Sequence, residues 1–304
     1  MEYMKSSLSF EEQADRLCSR GLLADRAELI LRLKAVSYYR LSGYLYPFRI
    51  PGKDQFKEGT CLKTIWMRYC FDRRLRGLVL DAIERLEVSI RTKLVCHFSR
   101  KYGPFGYAND RNLSKLKIDE YLKWRSGLWE ETCRSKEPFK KHFFDSYGDA
   151  HKELPLWMLA ELMSMGSLLT FFKGVSPELK QAIAEEYGLV DEVLHSWLRS
   201  LNAARNLCAH HVRLWNRELG YPPLLPNPKK FPEWHEPQKL NNGRCGILLM
   251  ICRHLLQLVS PTSRWAERVE ALFAEYPEVP MRDMGLPENW RAHPVWHGCS
   301  PCAD

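Results

Sequence analysis

The segment SWLRSLNAARNLCAHHVRLWNR, from Ser196 to Arg217, contains side chains that can break a phosphodiester. At helical periodicity it separates into an apolar face and a polar face. The polar face combines amides, an imidazole and guanidinium groups, in Asn202, Asn206, His210, Arg213 and Arg217. Because this face contains no acidic residue to neutralise its positive charge, we expect it to bind an anion.

Arg205 and His210 carry the two kinds of group needed to cleave RNA without a metal ion. A guanidinium is a permanent cation with planar donors that suit phosphate, and an imidazole exchanges a proton near neutral pH. Cleavage requires activation of the 2′-hydroxyl, protonation of the leaving 5′-oxygen and stabilisation of charge on phosphorus. In such a reaction the imidazole of His210 would move the proton, and the guanidinium of Arg205 would stabilise the charge.

The alternative is an ordinary helix surface, on which His210 and His211 have no catalytic role. Arg205 would then extend from the edge of the apolar face and pair with a carboxylate. A straight helix also separates Arg205 from His210, by about 7.5 Å along its axis and about 140° around it. One helix therefore does not present both groups to one phosphate. A long arginine side chain, a local distortion of the helix, or a second copy of the helix facing the first would bring the two groups together.

The elements that position this segment are predicted to be helical. Ser9, with Glu12 three residues later, and Asp25 mark the starts of two helices, to about Ser19 and Val36. Apolar residues recur at three- and four-residue steps from Leu62 to about Lys101, which predicts a long helix. Residues 37–48 are predicted as a turn packed by its own tyrosines. Further helices are expected within 102–152 and at about 156–174, 177–187, 191–217, 244–259 and 262–274.

No segment shows the alternation typical of a strand, so the sequence predicts an all-α fold. We expect an N-terminal helical extension over residues 1–60 and a helical domain over 61–275. An irregular tail rich in proline and tryptophan, residues 276–304, is expected to pack on the core.

The charge and the apolar segments of the sequence indicate which partners and which cellular compartment to expect. The 45 lysines and arginines exceed the 37 acidic residues, for a net charge of +8, which is compatible with a polyanionic partner such as RNA. The apolar runs are too short to span a bilayer, and the first residues lack the apolar core of a signal peptide. We therefore expect a cytoplasmic protein with no membrane association.

Ten cysteines are scattered along the chain, and we expect most to be reduced thiols. One cluster near the C-terminus, His293, His297, Cys299 and Cys302, leaves a zinc site open as an alternative. Structural zinc sites usually draw their ligands from two separated pairs, however. No metal ion or other cofactor is therefore predicted.

Several long motifs resemble the Abi family of abortive-infection proteins, of the AbiD/AbiF-like type. They occur in the order of the family and cover most of residues 9–297. They are RGL from Arg20, YYRLSGYLYPF from Tyr38, GT at Gly59, YCFDRRLRGLVLDAIERLEVSIRT from Tyr69, LPLWMLAELMSMGSLLTFF from Leu154, RNLCAHHVRLWNR from Arg205 and MGLPENWRAHPVW from Met284. One departure is MSMG at Met163, where the family more often has an aromatic residue before the glycine.

The resemblance implies a HEPN-type helical bundle, phage defence or toxin–antitoxin biology, and metal-independent RNA cleavage that leaves 2′,3′-cyclic phosphate ends. It places the catalytic pair on Arg205 and His210, with Asn206 in support. It also implies a homodimer, in which two copies of the motif meet across the dimer interface and form a composite cleft. A small non-coding RNA is implied as a further partner. We predict an RNA-binding surface formed by Asn202, Arg213, Arg217, Arg91, Arg73 and Arg76.

Two alternatives stay open beside these predictions. Glu87 is predicted to orient Arg205, but an ion pair with Arg91, one helical turn away, explains the same residues. The rival function is a non-cleaving RNA-binding module, or a regulator that holds a structured non-coding RNA.

Overall fold

The computed structural model describes Met4 and residues 6–297. The described residues belong to two compact units. Unit 1 contains the described residues of Met1–Gly77 and Val269–Pro280. Unit 2 contains the described residues of Leu78–Arg268 and Met281–Asp304. These limits differ from 1–60, 61–275 and 276–304, and that division into domains stays a prediction.

The described part of the chain is all-α, as predicted. It contains no strand, only three isolated bridges between single residues. The α-helices are α1 (Phe10–Ser19), α2 (Arg26–Val36), α3 (Tyr38–Leu45), α4 (Leu62–Tyr102), α5 (Ile118–Arg134), α6 (Pro138–Tyr147), α7 (Leu156–Leu159), α8 (Met165–Gly174), α9 (Pro177–Glu185), α10 (Asp191–Ala209), α11 (Gly246–Val259), α12 (Trp265–Glu275) and α13 (Pro294–His297).

The first two helices begin at the predicted capping residues. The Ser9 hydroxyl accepts from the backbone N–H of Glu12 over 3.1 Å, and Oε2 of Glu12 accepts from the backbone N–H of Ser9 over 2.6 Å. The Asp25 carboxylate accepts from the backbone N–H of Glu28 over 2.8 Å. Both caps satisfy backbone donors that have no partner inside the helix.

The predicted turn at residues 37–48 is wrong. These residues form α3, followed by a 3₁₀ turn over Tyr46–Phe48. Ser37, at a φ of 64°, ends α2, and its hydroxyl accepts from the backbone N–H of Arg40. Leu41, Tyr44 and Leu45 are buried at helical spacing. Burial of this apolar face therefore outweighs the glycine and aromatic content that suggested a turn.

A charged cluster lies inside unit 1. The Asp72 side chain is fully buried and pairs with Arg76, one turn further along α4, whose side chain is 6% exposed. The Tyr44 hydroxyl donates to Asp72 over 2.5 Å, and Arg76 donates to the Tyr44 oxygen over 3.3 Å. Burial and the Asp72 charge raise the pKa of Tyr44 far above its usual range. The phenol therefore stays protonated and can donate to the buried carboxylate.

In unit 2, helix α8 packs on α10, and α10 packs on α9 and α11. Trp197 of α10 lies against Trp234 and His254, with ring centroids 4.9 and 5.6 Å away. The predicted continuous helix over 156–174 is wrong, because the chain breaks between α7 and α8. Ser164 is the N-cap of α8, and its hydroxyl accepts from the backbone N–H of Ser167 over 3.2 Å.

Candidate active site

Helix α10 carries the predicted catalytic segment, and its buried face fixes its orientation within unit 2. Its first turn contains Asp191 and Glu192, which suit the positive end of the helix dipole. Its buried side chains follow helical spacing and include Leu194, Trp197, Leu201, Ala204 and Cys208. The face that bears Asn202 and Asn206 is therefore turned away from the core.

The helix ends at Ala209, so the predicted helix to Arg217 is wrong. His210 is the C-cap residue, and His211 has a φ of 58°, in the left-handed region. The backbone N–H of His211 donates to the Cys208 carbonyl over 3.0 Å, and that of Val212 donates to the Leu207 carbonyl over 2.8 Å. This pair of bonds is a Schellman motif, which terminates a helix. Arg213 and Arg217 consequently do not continue the helical stripe.

Arg205, Asn206 and His210 lie in the last turn of α10 and at its cap. Nη1 of Arg205, which is half-buried, donates to Oδ1 of Asn206 over 3.3 Å, and the side chains of Asn206 and His210 are exposed. The His210 backbone N–H donates to the Asn206 carbonyl over 3.0 Å. No carboxylate within residues 6–297 forms an ion pair with Arg205. The alternative of a surface arginine paired with a carboxylate thus finds no support in the described residues.

Asn202 lies one turn before Asn206 on the same side of α10, and it faces the start of α8. A Cβ atom built on Gly166 would lie 3.9 Å from the Asn202 amide nitrogen. The stripe Asn202, Asn206 and His210 therefore begins beside the N-terminal turn of α8 and ends at the cap of α10.

Glu87 and Arg91 form the alternative ion pair within α4. Nη2 of Arg91 donates to Oε1 of Glu87 over 2.9 Å and to the Met163 carbonyl over 3.1 Å. The two side chains are only 12% and 14% exposed, and among the described residues no hydrogen bond joins Glu87 to Arg205. The ion pair with Arg91 is therefore present, and the orienting role of Glu87 stays a prediction. Arg91 also holds the turn that precedes α8.

The other predicted RNA-binding arginines lie in different surroundings. Arg73 is exposed in unit 1, whereas Arg76 is buried there against Asp72, so its guanidinium is not presented to a ligand. Arg213 and Arg217 belong to unit 2 and are half-buried after the end of α10. Nη1 of Arg217 donates to the Arg213 carbonyl over 3.2 Å.

A cavity of about 430 Å³ in unit 2 was not predicted from the sequence. It lies beside the break in the chain at Ser164, the N-cap of α8. Ser164 itself, a residue type favoured at the N-cap, was the available signal in the sequence, but it lies within an apolar run that suggested one continuous helix. The lining residues are Glu120, Lys123, Trp124, Gly127, Leu128, Glu131, Met163, Ser164, Gly166, Ser167 and Thr170.

Residues 6–297 contain no group of three or more His, Cys, Asp or Glu side chains placed to hold a metal ion. Cys299 and Cys302 of the alternative zinc site lie outside the described residues. His293 is buried, with Nε2 at 3.2 Å from the Gln238 carbonyl oxygen, and burial lowers its pKa. None of the helices in the described part is long and apolar enough to cross a membrane.

A model of the Abi-like protein family matches residues 32–216, more than half of the 304-residue chain. The matched range runs from α2 past α10 and contains Arg205, Asn206 and His210. Comparisons with curated proteins and with solved structures give no match. The agreement over this range identifies the chain as a member of the Abi-like protein family.

Proposed function

We propose that this Abi-like protein is a metal-independent endoribonuclease that acts in abortive infection. Membership of the family supports a general role in defence against phage. The order Arg205, Asn206 and His210 resembles the motif of HEPN ribonucleases, in which four to six residues separate an arginine from a histidine. The composition, with a net charge of +8, favours a polyanionic substrate.

The proposal rests on the surroundings of the Arg205 guanidinium, which is bonded to an amide and forms no ion pair within residues 6–297. Two other half-buried arginines of unit 2 pair with carboxylates, Arg85 with Asp81 and Arg91 with Glu87. Arg205 instead donates to the neutral amide of Asn206, one turn from the exposed imidazole of His210. Its charge is therefore available to an anionic ligand, and the amide restrains its position without neutralising it.

The reaction follows from these groups. The 2′-oxygen attacks phosphorus while an imidazole removes the proton of the 2′-hydroxyl. The bond from phosphorus to the 5′-oxygen then breaks, and an acid returns a proton to that oxygen. The products are a 2′,3′-cyclic phosphate and a 5′-hydroxyl. Arg205 stabilises the extra negative charge on the phosphoryl oxygens in the transition state.

We propose further that two copies of the chain form the complete site. One imidazole does not serve as base and as acid in the same concerted step, whereas two copies supply two histidines and two arginines. Exposure of His210 at the end of α10 leaves it accessible to a second copy. The proposal predicts that specific activity falls when the protein is diluted below the dissociation constant of its dimer.

The test compares the parent with His210→Ala on total RNA in the presence of EDTA. The parent should cleave and leave 2′,3′-cyclic phosphate ends, and the variant should lose activity by at least about 100-fold. Arg199→Ala is the matched control, because Arg199 is an exposed arginine of the same helix whose guanidinium lies over the Tyr221 ring. It should cleave like the parent.

Equal cleavage by the parent and His210→Ala would overturn the assigned site. If neither protein cleaves while both shift RNA in a gel, the chain is a binding module, the rival function. Sequencing the RNA that copurifies with the protein would identify a non-coding RNA partner.

A further inference from the structure

The cavity in unit 2 lies between α5 and the N-terminal turn of α8, and no role in the proposed reaction accounts for it. Its wall includes the buried indole of Trp124, which stacks on Phe171 with centroids 5.4 Å apart. The indole Nε1–H donates to the Ser167 carbonyl over 3.0 Å. These two contacts fix the ring, so the cavity has a rigid apolar wall.

Two carboxylates from α5 also line the cavity. Lys173 donates to both oxygens of Glu120, over 2.6 and 2.9 Å, and this contact lowers the pKa of Glu120. Glu131 is exposed and pairs with Arg134 at 3.0 Å. Ionised carboxylates accept hydrogen bonds and donate none. The cavity therefore favours a flat group that carries N–H donors.

Two glycines lie at the edges of this cavity, Gly127 towards the solvent and Gly166 near Asn202 of the candidate active site. A Cβ atom built on Gly127, an exposed residue of α5, would meet no atom within 4 Å. Gly166 lines the opposite side, and its built Cβ would lie 3.9 Å from the Asn202 amide nitrogen. Asn202 begins the stripe that ends at His210, and eight residues of helical rise span about 12 Å.

The geometry points to a subsite for a nucleobase with an exocyclic amino group, on an RNA strand whose scissile phosphate lies at Arg205 and His210. This inference rests on the proposed function, because the strand must run along the stripe from the cavity to the cap of α10. Proteins read single-stranded RNA by splaying out bases, packing them on aromatic side chains and bonding their edges. Carboxylates accept from base amino groups, as they do from N4 of cytosine. Uracil has no amino group and should be rejected.

Lys123 supports a nucleic-acid occupant over a free apolar ligand. It is exposed at the edge of the cavity and forms no ion pair within residues 6–297. A cation in this place can contact the phosphate that joins the bound base to the next nucleotide.

The first experiment measures equilibrium binding of GMP, AMP, CMP and UMP to the full chain. The parent should bind at least one of GMP, AMP and CMP about tenfold or more tightly than UMP, the discrimination expected of a good hydrogen-bonded pair. Gly127→Phe fills the cavity from an open helix position and should abolish this binding. Gly77→Phe is the matched control, since Gly77 is an exposed helical glycine outside the cavity whose built Cβ also meets no atom within 4 Å.

The double variant Glu120→Gln with Glu131→Gln should remove the preference over UMP. Equal binding of all four nucleotides by the parent, or unchanged binding by Gly127→Phe, would overturn the inference. His210→Ala should bind the nucleotides like the parent. Loss of cleavage therefore tests the proposed function, and loss of nucleotide binding tests the cavity.

The second experiment distinguishes a base within RNA from a free nucleotide. In a pool of random-sequence RNA, the parent should favour one amino-bearing base at a fixed distance from the cut, and Gly127→Phe should lose that preference at least about tenfold. Gly77→Phe should keep it. Unchanged cleavage preferences in Gly127→Phe, despite lost nucleotide binding, would assign the cavity to a free nucleotide and reject the subsite.

Discussion

The guanidinium of Arg205 donates to the side-chain oxygen of Asn206, with Nη1 and Oδ1 3.3 Å apart. The two residues are adjacent in α10, so their side chains leave the helix at different angles and meet only when the arginine bends back. The amide therefore selects one arrangement of a long, otherwise mobile side chain. It does so without cancelling the positive charge that a phosphate requires.

Removing this amide should impair catalysis more than stability. Asn206→Ala leaves Arg205 charged but unrestrained, and we expect kcat to fall by about 10- to 100-fold, because small misplacements of catalytic groups are costly. The melting temperature should change little, since Asn206 is exposed. Rate measurements on a defined RNA, together with thermal melts, check this expectation. A variant with unchanged kcat would show that the contact does not position Arg205.

The left-handed conformation of His211 should be measurable as strain. Its φ of 58° disfavours any residue with a Cβ atom, by about 1 kcal/mol. His211→Gly and His211→Ala both remove the imidazole, so the difference between them isolates the backbone. We expect the glycine variant to be more stable by about 1 kcal/mol in denaturant titrations. Equal stability of the two variants would contradict the left-handed cap that places His210.

The buried pair of Asp72 and Arg76 should be a sensitive point of unit 1. Asp72→Ala leaves a buried guanidinium without its carboxylate, and we expect a loss of about 3–5 kcal/mol in the free energy of unfolding. Glu28→Ala, which removes an exposed partner of Arg32 in the same unit, is the control and should cost less than about 1 kcal/mol. Chemical denaturation measures both. Comparable losses in the two variants would argue against a buried ion pair.

Acid should destabilise unit 2 through His254. Burial lowers the pKa of His254 from 6.5 to about 4, and a hydrogen bond with the Tyr187 backbone opposes this shift only in part. The unfolded chain therefore binds a proton at higher pH than the folded chain does. The contribution of His254 to stability is complete above pH 6.5 and is lost as the pH falls from about 6.5 to about 4, by roughly 3 kcal/mol.

Unfolding titrations of the parent and His254→Phe across this pH range test the assignment. The phenyl ring preserves the aromatic contacts with Trp197 and Trp234 and cannot be protonated. The variant should therefore lose less stability on acidification than the parent. Identical pH profiles would exclude His254 as the source, and would point to His195 or His293, whose pKa values burial also lowers.

Local signals in the sequence predicted much of the fold. The Ser9 and Asp25 caps form as predicted, because a cap involves a hydroxyl or carboxylate and a backbone N–H only three residues away. The long helix α4 was also predicted correctly, because apolar residues recur at helical spacing along almost all of its 41 residues. The short helix α3 was missed because its glycine and tyrosines have weak helix propensity, and only burial against the rest of unit 1 favours it.

For the candidate site, the sequence by itself determined the types and order of the groups: an arginine, an adjacent amide and, five residues after the arginine, a histidine, in a segment with one apolar face. Where that helix stops was decided only by the tertiary structure, because Leu214 and Trp215 are buried and the chain must turn at His211 for them to reach the core. The cavity beside Gly166 was decided in the same way. It depends on contacts between distant segments, which neither composition nor periodicity specifies.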